Sequence, residues 1–178
     1  MRHLLLRLTL LGLAFLSVAI GVSAQEREPI ITLRRTACFG TCPVYSVEIF
    51  EDGFIRYVGE AYVQYRGEQR AVISQDAVQN LVASFLRVHY FNLKDNYETY
   101  RDAKGRIWHV FDLPTAYTSF RIGSKKKLVK NYAFAPKELV ELEAEIDRVA
   151  NTKRWIGSDL LNVPSPNLEV PKPKNPSS

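Results

Sequence analysis

Cys38 and Cys42 are the only two cysteines in the chain, and they stand four residues apart within RRTACFGTCPVY, residues 34–45. Two thiols at that spacing can hold a metal, exchange disulfides or close a bridge. A metal centre needs about four suitable ligands. Beyond the first 24 residues the chain offers only His89 and His109 in addition, neither at a metal-motif spacing, so no metal is expected. Disulfide exchange needs a thiol of lowered pKa, usually in C-x-x-C at the positive end of a helix. Here three residues intervene, and Cys42 runs into Pro43 and then a strand pattern. A bridge requires Cα atoms roughly 4.4–6.8 Å apart, so Phe39-Gly40-Thr41 must fold back on itself. Gly40 permits the unusual backbone that such a reversal needs, and Pro43 fixes φ where the next strand begins. We therefore expect a Cys38–Cys42 disulfide. Its loop is short, so it contributes roughly 2 kcal/mol and shapes a turn more than it holds a domain together. A thiol–disulfide redox protein working through the same pair is the alternative function.

Other reactive groups give little. There is no G-x-S-x-G, no H-E-x-x-H and no glycine-rich phosphate loop, so no catalytic residue and no cofactor are expected. His109 and Asp112 are three apart, but a strand histidine and a turn aspartate before Leu113-Pro114 account for them. Asp95, Asn96 and Asp102 lack the alternating spacing of a calcium loop. The chain holds nine tyrosines, and if Tyr57 and Tyr65 shared a sheet face they would form a stacking surface for a sugar polymer or a peptide.

The compartment is set by the N-terminus. Arg2 and Arg7 precede an apolar run, Leu8 to Val22, which closes on Val22-Ser23-Ala24 before the polar Gln25-Glu26-Arg27-Glu28. That is the layout of a secretory signal peptide, residues 1–24, cleaved after Ala24, with no membrane span left once it is removed. The expected location is secreted or periplasmic, where thiol pairs oxidise. Removing residues 1–24, with two arginines and no acid, lowers the net charge from +5 to +3. This mild excess suits weak attraction to anionic surfaces and not nucleic acid, because the cations are scattered. The dense run Ser124-Lys125-Lys126-Lys127 is read as a solvated hairpin turn.

These residues need elements to position them. Ile30 to Arg35 reads as a strand; Tyr45, Val47 and Ile49 alternate with polar residues; Asp52-Gly53 makes a tight turn; Phe54 to Val58 follows. Ala61–Tyr65 and Arg70–Ile73 extend this into a four-stranded antiparallel meander, with Gly59 a candidate bulge. At Ser74 the period changes, and Val78, Leu81, Val82 and Phe85 form one face of a helix over 75–88, with Ser74 its cap. Residues 92–106 are polar and irregular. Strands follow near 107–111, 118–122 and 128–132, with Gly123-Ser124-Lys125 joining the last two. Pro136 opens a second helix with the stripe Leu139, Leu142, Ile146 and Val149, carrying Lys153 and Arg154 at its end and stopped by Gly157. The expected architecture is one α+β domain, residues 26–158: a curved antiparallel sheet of six or seven strands with two amphipathic helices on one face. Residues 162–178 are rich in proline and read as a disordered tail.

The block RRTACFGTCPVYSVEIFEDG, followed by a strand with Tyr57 and Gly59, resembles the opening of a bacterial family of secreted or envelope domains of unknown function. The likeness continues through Phe91–Asp95 to Tyr97, through Asp112-Leu113-Pro114-Thr115, and through Lys127, Val129, Tyr132, Pro136, Leu139, Leu142, Ile146 and Asp147. It covers about residues 30–150. Two departures stand out: Asn131, where an acid is common, and a long polar stretch between Tyr97 and Asp112. The resemblance implies one fold unit and export; it supplies no activity, substrate or catalytic residue. Tyr97 and Asp112, which fall in matching segments, join Tyr57 and Tyr65 as candidate binding residues. The functional expectation is a non-enzymatic binding or accessory module that contacts an envelope polymer or protein.

Overall fold

The computed structural model describes residues 27–157; the segments read as leader, 1–24, and as tail, 162–178, lie outside the described residues. Period-two alternation produces the first four strands, β1 (Ile31–Arg35), β2 (Val44–Ile49), β3 (Phe54–Ala61) and β4 (Gly67–Val72), an antiparallel meander. The β2–β3 turn needs its glycine. Gly53 has φ +83°, and the Asp52 carboxylate accepts from the Phe54 amide at 3.2 Å. Ser74 then caps α1 (Gln75–Arg87), its hydroxyl accepting from the Ala77 amide at 3.2 Å.

After α1 the chain returns to the far side of β1. β7 (Ala116–Ile122) pairs with β1 and β8 (Lys125–Asn131) with β7, giving the open sheet order β4-β3-β2-β1-β7-β8 with every pairing antiparallel. The fold class is therefore α+β, as the sequence leads one to expect. Ile31, Leu33, Val47, Ile49, Ile55, Tyr57 and Phe120 point to one face and are buried there by Leu81 and Phe85 of α1 and by Leu139, Leu142 and Ile146 of α2 (Lys137–Ala150). Phe85 stacks on Phe120 at 4.5 Å. Each such side chain taken from water stabilises the fold by about 1.5–3 kcal/mol before entropy is counted.

Several details differ from expectation. The strand placed at 107–111 is shorter, β6 (Ile107–His109), and it lies outside the main sheet. It pairs with β5 (Thr99–Arg101), an element inside the stretch read as irregular. Asp102 makes that hairpin. Its carboxylate accepts from the amides of Lys104 and Arg106 and from the Arg106 side chain, so polar residues that look like a loop in fact fold the chain back. The lysines of 125–127 stand in β8, and only Gly123-Ser124 turns. Pro136 is the residue before α2, with ψ 150°.

The second helix stops at Ala150 and does not run on to Gly157. Asn151 adopts a left-handed conformation, φ 52°, and its amide bonds to the Arg148 carbonyl. One further turn, α3 (Lys153–Ile156), brings Trp155 back onto Tyr57 at 4.8 Å. The strand extension expected at 61–65 is bent by Tyr62, φ 51°, so that the amides of Gln64 and Tyr65 bond to the carbonyls of Ile156 and Trp155. The β2–β3 register shifts beside Gly59, opposite Tyr45. A Cβ on Gly59 would lie 2.2 Å from the Tyr65 carbonyl oxygen, so only glycine fits where the turn folds back on β3.

Candidate functional site

The eight residues between Arg35 and Val44 form the β1–β2 connection, and Cys38 and Cys42 are bridged within it, their Cα atoms 5.7 Å apart. Both cysteines lie between strands. Cys38 is half-buried and Cys42 buried. The loop stands on the last ladder pair of the two strands, Arg35 opposite Tyr45, and these two side chains grip a third residue across the core. Arg35 donates to Asp147 Oδ2 from Nη2 at 2.8 Å and from Nε at 3.0 Å. The Tyr45 hydroxyl donates to Asp147 Oδ1 at 2.7 Å and accepts from Arg35 Nε at 3.0 Å. Thr152 Oγ1 donates to Asp147 Oδ1 at 3.0 Å. Burial first, and then the Asp147 charge, push the Tyr45 phenol well above its ordinary pKa, so it stays a donor. For Arg35, burial works against the charge, but Asp147 and the other neighbours outweigh it and hold the guanidinium protonated.

The segment before β7 fixes the loop from its other side. The Thr36 amide bonds to the Thr115 carbonyl, and the Thr115 amide to Thr36 Oγ1, both at 3.0 Å. The Phe39 amide bonds to the Asp112 carbonyl at 3.4 Å. Asp112 has φ 64°, an unusual value that aspartate tolerates, and the kink carries the chain from the β5–β6 hairpin onto the loop. The Leu113 amide donates to the Tyr132 hydroxyl at 3.3 Å. The matching segments CFGTCPVY, DLPT and the end of α2 thus converge on one structure.

That structure presents aromatic side chains outward. Phe39 is 90% exposed and Phe111 is 78% exposed, on backbones joined by the Phe39–Asp112 bond. Trp108 and Ile107, on β6 just before, are also exposed. Both phenylalanines are thus large apolar side chains left in water on a restrained backbone. Two shallow depressions on the surface share Arg27, Glu28 and Phe50 and reach Asp52 and Arg56, which places them around the β2–β3 turn at the opposite end of the strands. Among the described residues no group of three or more His, Cys, Asp or Glu is placed to hold a metal ion.

The four residues expected to bind are not brought together. Tyr57 lies in the core at 0% exposure, stacked between Tyr45 at 5.5 Å and Trp155 at 4.8 Å, so it makes no surface with Tyr65. The reason is register: Val47 points inward, and Tyr57 is its partner across the turn. Tyr65 is half-exposed beside α3 near β4, one edge of the sheet. Tyr97 is half-buried along β8, the other edge, with its amide on the Lys130 carbonyl. Asp112 is the one that falls at the loop, through its backbone. Phe39, Phe111 and the Asp147 clamp were not foreseen. The available signal for Phe39 was an aromatic residue between two cysteines.

A second polar group lies behind the clamp. Glu143 of α2 is buried, accepting from Thr118 Oγ1 at 3.1 Å and from Asn131 Nδ2 at 2.8 Å. Burial pushes its carboxyl up to about 7, against the pull of Arg35 and of these two hydrogen bonds. The residue that departs from the resembled pattern, Asn131, is therefore a neutral partner for a buried acid.

Comparison with known proteins places the chain. The model of a domain of unknown function, DUF6438, matches residues 29–150, more than half of the sequence, so the chain belongs to that family. The match covers the same stretch as the resemblance read from the motifs. No curated protein matches it.

Proposed function

We propose that this chain is an exported, non-enzymatic binding module of the cell envelope and that it makes contact through the Cys38–Cys42 loop and the adjoining Ile107–Asp112 ledge. The observation that carries this reading is Phe39. A phenylalanine almost wholly in water sits on a loop held by a disulfide, by the paired Thr36 and Thr115, and by the Arg35–Tyr45–Asp147 clamp. Preorganised aromatic side chains of this kind carry most of the affinity at contact surfaces, because little ordering entropy is lost on binding. The leader-like N-terminus supplies the oxidising compartment that the bridge requires. Disulfide exchange by the same pair has less support. Cys42 is buried, and the bridge lies in the connection between two strands and not at the start of a helix, where a thiol pKa is lowered.

The double substitution Phe39→Ala and Phe111→Ala tests this reading. Cosedimentation with total envelope fractions is expected to fall by at least about tenfold, with the thermal transition unchanged, since both side chains are in water in the free protein. Full retention of cosedimentation by the double variant would remove the reading.

A further inference from the structure

The partner of this surface is legible in its shape and charge, given the binding role just stated. The aromatic residues project from loops and from a two-stranded hairpin, and the two depressions that share Arg27 and Phe50 lie at the other end of the strands. Projecting side chains suit a soft surface into which they sink. The β5–β6 hairpin adds charge. Arg101, Lys104 and Arg106 are exposed, against a single hairpin acid, Asp102. Asp102 is taken up internally, accepting from the Arg106 side chain at 2.7 Å and from Trp108 Nε1 at 3.3 Å. Counting Asp112, residues 99–112 carry three cations and two acids. The excess is small, so apolar insertion must supply most of the affinity and charge only the preference. Trp108, half in water with Arg106 over its ring at 5.4 Å, is the amphipathic side chain that favours the headgroup level of a bilayer.

We propose that Phe39, Trp108 and Phe111 enter the interfacial layer of an anionic bilayer while Arg101 and Lys104 meet lipid phosphates. The domain then lies against the membrane by its disulfide end, leaving the β2–β3 end facing away. Three inserted aromatic side chains plus weak charge give reversible, peripheral attachment of the kind seen for interfacial segments.

The test uses the exported protein with two vesicle preparations, phosphatidylglycerol mixed with phosphatidylcholine, and phosphatidylcholine alone. Of the two tryptophans Trp155 is buried, so the change in emission reports Trp108. Binding to the anionic vesicles is expected to shift emission to the blue, to be quenched by brominated acyl chains, and to be about fivefold tighter than to the neutral vesicles at low salt. Phe39→Ala with Phe111→Ala should weaken it by at least about tenfold. Absence of both the emission shift and cosedimentation with anionic vesicles overturns the proposal. If Phe39-dependent binding to envelope fractions then survives lipid extraction, the partner is a protein or polymer, and the binding role stands without the lipid. If it does not occur in either preparation, both readings fall.

Discussion

Replacing Asp147 with alanine is expected to lower stability by about 3 kcal/mol, the low end of the cost of breaking a buried ion pair. The low end applies because the Arg35 and Asp147 side chains keep 30% and 21% of their exposure, so water screens part of the loss. What remains is still large. The Tyr45 hydroxyl, in a residue only 2% exposed, loses its acceptor, and Thr152 loses the partner that holds the turn after α2. Urea unfolding of Asp147→Ala, of Tyr45→Phe and of the double variant would show a coupling above about 1 kcal/mol, as expected of residues in one network. A loss below about 0.5 kcal/mol for Asp147→Ala, the range of ordinary surface substitutions, would show that no clamp exists. The substitution also loosens the foundation of the loop, so binding that depends on Phe39 should weaken in parallel.

Glu143→Gln is expected to act in the opposite direction. In the folded protein burial raises the Glu143 carboxyl to about 7, against an ordinary 4.5. Ionisation is therefore easier in the unfolded chain. The stability associated with the protonated form is complete below pH 4.5, falls as pH rises from there, and is lost above about pH 7. The gap corresponds to about 3 kcal/mol as an upper bound. Glutamine keeps the shape, with its amide oxygen accepting from Asn131 Nδ2 and its amide N–H donating to the Thr118 hydroxyl oxygen. The variant should exceed the wild type in stability at pH 8 by up to about 3 kcal/mol, and the difference should shrink to nothing by about pH 4.5. A constant difference across that range would mean that Glu143 does not titrate where its burial demands.

Much of the scaffold can be read from local pattern. Alternation at Tyr45, Val47 and Ile49 and the Asp52-Gly53 turn define β2 and β3, and Ser74 with the stripe through Phe85 defines α1, because each depends on residues close in the chain. The face of Tyr57 depends in addition on the length of that turn. The Phe50 amide bonds to the Phe54 carbonyl, so the turn is three residues, Glu51 to Gly53, and pairs Ile49 with Ile55 and Val47 with Tyr57, whereas a two-residue turn at Asp52-Gly53 would pair Val47 with Val58 and send Tyr57 outward. The extra turn residue is why Tyr57 is buried and shares no surface with Tyr65.

What sequence reading missed is mostly nonlocal. Arg35 and Asp147 are 112 positions apart, and Thr36 meets Thr115 at a separation of 79. No spacing rule links them. Glu143 is intermediate. It sits inside the apolar stripe of α2, between Leu142 and Ile146, and an acid at such a position signals a buried polar contact before any partner is known. The β5–β6 hairpin was hidden because its order comes from one aspartate satisfying the turn and not from an apolar period.

The central claim is that the disulfide end of the domain is its contact surface, and hydrogen exchange of the protein with and without native envelope fractions measures it most directly. The account predicts slowed exchange confined to the amides of residues 36–43 and 99–113. Protection centred instead on Arg27, Asp52 and Gln75 at the opposite end, or none at the Phe39 loop, would contradict it.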